Sequence, residues 1–468
     1  MKSLKVILIL LVITACKPNS KSDDSSNLSL VSLALLGSNT TNSQSDNSSS
    51  SSSNNSTTIS TITKLIGVTS SQTTGSSVLF NSSGNLFITG HTNGGLDGNT
   101  VTGSYDMFIT KYDSNYNKLW TKQIGVTSKQ TTHIESRIDS SGNLYLTGYT
   151  NGNLDGNTLN GAVDLFIAKY DNNGNKLWLK LLGASGKATY GLGISIDSSG
   201  NSYITGYTTG GLNGNSLTGN QDVFIAKYNT EGVLQWSKQL GVASKSTYGS
   251  GISLDNSGNI YITAYTDGGL DGNSFSGGIL DLFICKYNSS GTKQWTKQIG
   301  GGSLKMVQGR KIINDSAGNS YISGETTASI DGQTLTGKRD ILLLKFDTDG
   351  NKQWTKLLGG NSGEVAVGGI ILDSSSNIFI TGSIYTNGLD GNSLIGSSSD
   401  AFLVKFDSTG NKIWTKQLGV SSKQTVSSNL EMNSTTGKVF ITGSTYGNLE
   451  GNTLNGSYDA FFSNKLNE

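Results

Sequence analysis

The chain has 468 residues and a formal net charge of +1, and only 14% of its residues are charged. This length allows one large domain or several small ones. Only three residues are arginine, at positions 137, 310 and 339, so the sequence lacks the basic surface that nucleic-acid binding requires. We therefore expect no nucleic-acid partner.

Residues 1–16 have the pattern of a targeting segment. Lys2 and Lys5 precede an apolar run over 6–13 that is too short to span a bilayer. The run leads into ITAC, residues 13–16, which resembles a bacterial lipobox and implies that Cys16 becomes the lipidated first residue of the mature protein. An ordinary secretory signal is the alternative. With lipidation, we expect a cell-envelope protein anchored by lipid to the outer membrane, on either the surface or the periplasmic side.

Residues 17–60 are predicted to form a disordered tether. Over 37–60 nearly every residue is Ser, Asn or Thr, so the segment cannot bury enough apolar surface to offset the entropy of ordering it. If Cys16 is lipidated, Cys285 has no partner and no disulfide is expected. Cys285 stands where other copies of its motif have alanine, which indicates a small packing residue.

Three markers recur from residue 61 onwards and indicate an internal repeat. The six tryptophans are spaced 58 to 60 residues apart, at Trp120, Trp178, Trp236, Trp295, Trp354 and Trp414. An LDGNT-like motif occurs seven times, at Asp97, Asp155, Asn213, Asp271, Asp331, Asp390 and Glu450. An aspartate that opens an apolar run also occurs seven times, at Asp106, Asp164, Asp222, Asp281, Asp340, Asp400 and Asp459.

Each unit contains four β-branched and aromatic runs separated by Gly, Asn, Asp and Ser clusters, for example 193–200, 201–208, 222–228 and 233–241. No segment has a sustained helical period, and the single proline suits strands that are paired on both sides. Seven four-stranded antiparallel units in tandem predict an all-β fold, a seven-bladed β-propeller over residues 61–468.

The propeller begins with a fragment of its own repeat. Residues 62–67, ITKLIG, copy the tryptophan-bearing strand without its tryptophan, and the last unit ends after its third strand. We expect the N-terminal strand to pair with the last blade and to close the ring. An open solenoid is the alternative, but it would leave two unpaired strand edges.

The motifs D-x-F-I-x-K-Y, G-N-K-x-W and D-S-S-G-N-x-Y-I-T-G, taken together, resemble the bacterial β-propeller repeat called SBBP. The resemblance covers residues 61–468. It implies that the ISID strand is innermost in a blade and is followed by the YITGYT and DLFIAKY strands. The tryptophan strand would then be outermost.

Residues present in every unit are expected to serve the architecture. The strand-opening aspartate should accept hydrogen bonds from the preceding loop, and the tryptophan should be buried between blades. We find no motif for a catalytic centre, a cofactor or a metal site. The turn DTDGN, 347–351, resembles the start of a calcium loop but lacks its distant glutamate.

Residues that differ in one or two units are better candidates for a binding site. The innermost strands of the second and fifth units carry charge where other units have small residues. This difference predicts a polar binding site at the channel mouth. Its candidate residues are His133, Glu135, Arg137, Arg310 and Lys311. Ion pairs that only fill the channel are the alternative. A second candidate set lies on the long loops after the second strands, at Asp97, Asp155, Asp271, Asp331 and Asp390.

The sequence therefore predicts a non-catalytic binding or scaffolding propeller, which we expect to be a monomer. Its long polar loops would form one face that binds an external protein or a glycan. A periplasmic scaffold for outer-membrane assembly is the first alternative. A propeller hydrolase is the second, although the two histidines, His91 and His133, lack any accompanying hydrolase motif.

Overall fold

The computed structural model describes residues 61–467. The predicted targeting segment 1–16 and tether 17–60 lie outside the described residues, so both stay predictions. The described chain forms seven four-stranded antiparallel sheets. Two short 3-10 helices, Leu96–Gly98 and Lys465–Asn467, complete its regular structure. In this part of the chain no helix has the length and the apolar character needed to cross a membrane.

Every strand takes one of four places in its sheet. The innermost strands are β2 (Thr73–Phe80), β6 (Thr131–Ile138), β10 (Thr189–Ile196), β14 (Thr247–Leu254), β18 (Val307–Asn314), β22 (Glu364–Leu372) and β26 (Thr425–Met432). The second strands are β3 (Leu86–Thr92), β7 (Leu144–Thr150), β11 (Ser202–Thr208), β15 (Ile260–Thr266), β19 (Ser320–Thr326), β23 (Ile378–Tyr385) and β27 (Val439–Thr445). The third strands are β4 (Asp106–Tyr112), β8 (Asp164–Tyr170), β12 (Asp222–Tyr228), β16 (Asp281–Tyr287), β20 (Asp340–Phe346), β24 (Ser399–Phe406) and β28 (Asp459–Ser463). The outermost strands are β1 (Thr63–Ile66), β5 (Lys118–Ile124), β9 (Lys176–Leu182), β13 (Leu234–Leu240), β17 (Lys293–Ile299), β21 (Lys352–Leu358) and β25 (Lys412–Leu418).

The sheets are arranged as the blades of a closed seven-bladed propeller. The first six blades each use four consecutive strands, and the implied order from innermost to outermost strand is confirmed. Each innermost strand packs against the innermost strand of the next blade, and β26 packs against β2. The fold class predicted from the repeat is therefore confirmed.

The seventh blade is closed by the N-terminal strand, as predicted. Strand β1 pairs antiparallel with β28, with Thr63 opposite Ser463 and Ile66 opposite Ala460. The Ile62 N–H donates to the Asn464 side-chain oxygen at 2.7 Å. The two ends of the propeller are thus joined by main-chain hydrogen bonds between β1 and β28, which gives the seventh blade four strands like the other six.

The repeated aspartate holds the long loop against its blade. Asp222 is fully buried and accepts hydrogen bonds from the backbone N–H groups of Thr218 and Gly219 at 2.7 and 2.8 Å. A Cβ on Gly241 would lie 1.8 Å from the Asp222 carboxylate, so the glycine that follows each outermost strand makes room for this carboxylate. The expected hydrogen bonds from the preceding loop are confirmed.

Tryptophans and lysines of the repeat connect several neighbouring blades. The Trp178 indole N–H donates to the Thr230 carbonyl of the next blade at 2.9 Å, and Lys111 donates to the Asn172 carbonyl at 2.8 Å. The tryptophans are only half-buried, which corrects the expectation that they are buried between blades. They lie on the outermost strand, where just one face of the ring packs against the next blade. Cys285, in contrast, is fully buried as expected, and burial raises the pKa of its thiol to about 12.

Candidate functional site

The loop aspartates are distributed around the ring and are not brought together. Each lies after the second strand of its own blade, with a left-handed backbone. Each forms an ion pair with the first lysine of the outermost strand of the same blade; the pairs are Asp97–Lys118, Asp155–Lys176, Asp271–Lys293, Asp331–Lys352 and Asp390–Lys412. Exposed pairs of this kind contribute little stability. A role for these aspartates in binding stays a prediction.

Three of the five channel candidates do come together. The innermost strands enclose a cavity of about 250 Å³, which Glu135, Arg137 and Lys311 line. The Glu135 carboxylate lies 2.7 Å from an Arg137 guanidinium nitrogen and 3.0 Å from the Lys311 ammonium nitrogen. Burial acts to raise the pKa of Glu135, but the two cations outweigh it and hold the pKa below its ordinary value. The ion pairs thus link the second blade to the fifth across the channel.

Glu431 of strand β26 lines the same cavity, although sequence reasoning did not single it out. Its carboxylate accepts the Met432 N–H at 3.0 Å and has no ion-pair partner in the described part of the chain. Burial raises the pKa of Glu431, although the Met432 N–H and the charge of Arg137 oppose this. A signal was present, because no other innermost strand has a glutamate at the penultimate position.

His133 does not join this cavity and lies between the first and second blades. It is fully buried, with its Nε2 2.6 Å from the Ser136 Oγ, and its carbonyl accepts the Ser76 hydroxyl at 3.1 Å. Burial, with a further contribution from the nearby His91, lowers the pKa of His133 to about 3. The ring Nδ1 has no hydrogen-bond partner among the described residues. The Ser136–His133 pair therefore lacks the acid and the substrate access that a hydrolytic relay needs.

Arg310 is also separated from the cavity. Its Nε lies 3.0 Å from the fully buried carboxylate of Glu325, which in turn accepts the Val367 N–H of the next blade at 2.7 Å. The register of β18 shifts between Gly309 and Lys311, so Arg310 is the extra residue of a β-bulge. Successive side chains of a strand point to opposite faces of its sheet, which is why Arg310 and Lys311 have different surroundings.

Five tyrosines form a continuous arc on the second, third and fourth blades. They are Tyr149, Tyr190, Tyr207, Tyr248 and Tyr265, and we call this group the tyrosine arc. Rings within one blade are stacked at 4.9 and 5.0 Å between centroids, and rings of adjacent blades meet edge to face at 4.9 and 5.1 Å. Such contacts stabilise the arrangement beyond simple burial.

The tyrosine arc lies on the face that carries the long loops. Tyr190 and Tyr248 are near the start of an innermost strand, and Tyr149, Tyr207 and Tyr265 are near the end of a second strand. Both positions lie beside the loop that leads to the third strand. Tyr207 is buried and the other four are partly exposed. Burial raises the pKa of all five phenols, which therefore remain hydrogen-bond donors at neutral pH.

The sequence contains a signal for the arc that sequence reasoning also missed. The innermost strands of the third and fourth units begin with Thr-Tyr, whereas the same position in the other units is occupied by Thr74, Thr132, Gln308, Ala366 and Val426. Residues that differ in one or two units are candidates for a binding site, and this rule applies to Tyr190 and Tyr248 as it does to the charged residues.

The β-propeller repeat called SBBP matches residues 61–97, 119–155, 177–213, 235–271, 294–331 and 353–390. The chain belongs to the SBBP-repeat β-propellers. Each match begins on an outermost strand and ends in the long loop of the following blade. The sequence repeat is therefore offset from the blade by one strand, and this offset is what lets the first strand of the propeller close the last blade.

Two curated proteins are similar to parts of this SBBP-repeat propeller. One is an uncharacterized WD repeat-containing protein of Acanthamoeba polyphaga mimivirus, 25% identical over 423 residues, which covers 68% of this chain and 30% of that protein. The other is the regulatory protein FlaEY of Caulobacter vibrioides, 28% identical over 182 residues, which covers 37% of this chain and 18% of that protein. The chain thus spans less than a third of the length of either relative.

Among solved structures, a polysaccharide lyase, an ulvan lyase, is similar to the chain with a TM-score of 0.50. The two are 11% identical, and the match covers 85% of this chain and 95% of the lyase. At this identity the likeness shows a shared fold alone.

Proposed function

We propose that this protein is a non-catalytic binding propeller whose long-loop face takes a glycan through the tyrosine arc. The observation that carries the proposal is that the arc belongs to three blades only. The ring forms four other blades without it, so the architecture does not require it. A feature that the fold does not need and that lies on an accessible face is a candidate for a ligand-binding site.

A glycan suits this surface because both combine apolar groups with hydrogen-bonding groups. Tyrosine combines an apolar ring with a hydroxyl group that needs a partner. A sugar offers C–H faces to the rings and hydroxyl groups to the phenols. The surrounding loops are rich in Asn, Thr, Gly and Asp, as in 150–163, and add further hydrogen-bonding groups. A protein ligand on the same face is the competing outcome.

We further propose that the propeller acts at the cell envelope, attached through a lipid on Cys16. The support is the lipobox-like ITAC sequence at 13–16 and the Ser/Asn-rich composition of 37–60. A lipid anchor followed by a long tether would let the propeller meet a polymer outside the membrane. A periplasmic scaffold for outer-membrane assembly remains the alternative role.

The test is a glycan array followed by isothermal titration of the best ligand with the purified full-length protein. Replacing Tyr190 and Tyr248 together by Ala should weaken binding about tenfold or more, since two partly exposed rings at the centre of the arc are removed. Tyr446→Ala is the matched control, because Tyr446 is a partly exposed tyrosine of the seventh blade outside the arc.

Equal losses in the double variant and in the control would contradict a role for the arc. If no glycan binds, and a purified protein partner instead crosslinks to the long-loop face, the ligand class is wrong and the binding face is retained.

A further inference from the structure

The fifth blade changes the chemistry of the long-loop face at the end of the tyrosine arc. The stacked tyrosine pairs of the third and fourth blades are cross-strand neighbours, one from the innermost strand and one from the second strand. In the fifth blade the same two places hold Gln308 and Glu325, which lie opposite each other in the register of β18 and β19. A polar pair therefore takes the place of an aromatic pair.

The polar pair follows directly on the last tyrosine of the arc. Tyr207 of one blade meets Tyr248 of the next at 5.1 Å between centroids, so the arc passes from a second strand to the following innermost strand. The same step from Tyr265 leads to Gln308, because β15 packs against β18. The arc is thus continued on the fifth blade by hydrogen-bonding groups.

Arg310 adds a positive charge at this end of the arc. Its Nε donates to the Glu325 carboxylate at 3.0 Å, and its Nη2 donates to the Gln308 side-chain oxygen at 3.1 Å. The side chain is therefore directed towards the start of β18 and the end of β19, beside the long loops. The bulge residues of the other innermost strands are uncharged; they are Ser76, Ile134, Leu192, Ser250, Gly368 and Ser428.

The ion pair exposes its positive end alone. The Glu325 side chain is 0% exposed, and its two oxygens accept the Val367 N–H and the Arg310 Nε–H, whereas 25% of the Arg310 side chain is exposed. A guanidinium has five N–H donors, and in the described part of the chain the Arg310 Nη1 donates to no acceptor. A ligand on this face therefore meets a guanidinium that still has donors to offer.

The architecture does not require this charge. The third and fourth blades hold two tyrosines where the fifth blade holds Gln308 and Glu325, and a buried ion pair is generally no more stabilising than well-packed apolar residues. The fifth blade is thus a place where the ring departs from its own pattern without a gain in stability that would explain it.

Given the glycan function proposed above, on which this inference rests, we propose that the glycan is anionic and that Arg310 binds its carboxylate or sulfate group. Sugar rings pack on Tyr248 and Tyr265, and the oxyanion of the next sugar accepts hydrogen bonds from the guanidinium. A planar guanidinium matches both kinds of oxyanion with paired N–H donors, so the carboxylate and the sulfate are separated by experiment.

The test is a glycan array followed by isothermal titration of the purified full-length protein with charged and neutral forms of the same sugar chain. Hexasaccharides of hyaluronan and of polygalacturonate are compared with their carboxyl-reduced forms, and a sulfated chondroitin hexasaccharide is compared with its desulfated form. The charged form should bind about tenfold more tightly or better. Added salt should weaken binding of the charged form and leave the carboxyl-reduced form unaffected.

The double variant Arg310→Gln with Glu325→Gln should lose this preference for the charged form. It leaves no unpaired buried charge, keeps an acceptor for the Val367 N–H and has the net charge of the wild type. Lys238→Gln is the control, because it removes an exposed positive charge from the outermost strand β13, and it should keep the preference.

Equal affinity of the wild type for charged and neutral forms would overturn the role of Arg310, as would a preference that survives in the double variant. An array that shows only neutral sugars bound would also overturn it and would leave the glycan function standing. An array with no bound sugar would remove both proposals together. The comparison of sugars uses the wild type alone, so it decides the matter even if the double variant fails to fold.

Discussion

His133 occupies a position where four other blades have a glycine, namely Gly75, Gly191, Gly249 and Gly309. The imidazole fills the space between the first and second blades, and its Nε2 lies 2.6 Å from the Ser136 Oγ. A positive charge at this site would be buried without a carboxylate to pair with it, which is costly. That cost is why the pKa of His133 lies at about 3.

This burial predicts acid sensitivity of the fold. Unfolded His133 takes up a proton near its ordinary pKa of about 6.5, whereas the folded form stays neutral down to about 3. Between these values the unfolded state binds more protons, so the free energy of unfolding falls as the pH decreases. At about pH 5, protonation of His133 in the unfolded state should lower the free energy of unfolding by about 2 kcal/mol relative to neutral pH. Urea unfolding followed by tryptophan fluorescence measures the change.

The variant His133→Gln is the control for this prediction. Glutamine can replace the hydrogen bond to Ser136 and does not titrate, so the variant should lose less stability between neutral pH and about pH 5 than the wild type does. An equal loss in both proteins would show that carboxylates elsewhere cause the whole pH dependence.

At the scale of single elements, the closing strand β1 and the last blade contact the next blade through different side chains from those used by the other blades. In the first, second and fourth blades the repeat lysine donates a hydrogen bond to the next blade. The last blade has Ile62 and Asn464 at the positions of the repeat tryptophan and lysine. Aromatic contacts replace the tryptophan and the lysine: Tyr116 of the first blade packs on Phe440 and Phe462, with ring centroids 5.4 and 6.5 Å away. The junction between the two ends of the chain is therefore held by a local aromatic cluster.

The substitution Ile66→Asp should open this junction. Ile66 is 6% exposed and packs in the core between the last and first blades, so an unpaired carboxylate there should lower stability by about 3 kcal/mol or more. Thermal unfolding measured by circular dichroism gives the change. Leu119→Asp, on an outermost strand but 53% exposed, should alter stability by about 0.5 kcal/mol or less. Identical melting of the two variants would contradict closure by β1.

At the scale of the whole molecule, the seven blades share one architecture and differ in what they present. Every blade repeats the buried aspartate at the start of its third strand. The charged lining of the central cavity comes from the second, fifth and seventh blades, and the tyrosine arc from the second, third and fourth. The ring thus presents two chemically different surfaces, a polar aromatic face and a small charged cavity.

The proposed location of the ring is tested on intact cells that produce it naturally. The Ser/Asn-rich segment 37–60 should be cut by added protease if the propeller is at the surface, because such a composition does not fold. Release of the propeller with a periplasmic marker intact would support the external role. Protection until the envelope is opened would favour the periplasmic scaffold. A Cys16→Ser variant that stays in the membrane fraction would contradict the lipid anchor in either case.

The sequence by itself determined the number of blades and the closure, whereas the strand order within a blade was implied by the resemblance to the SBBP repeat. The number of blades and the closure follow from the spacing of Trp120 and its copies, from alternating apolar residues and from the incomplete last unit. Such patterns are visible in the sequence because strands and turns are formed by residues that are close together along the chain. The sequence also indicated charge near the channel at Glu135 and Lys311. Only the tertiary structure decided that these two pair with each other, that Glu431 lines the same cavity, and that Arg310 pairs with Glu325 away from this cavity. Their positions depend on how seven twisted sheets meet around an axis, and the distance between remote blades is not encoded in any local period.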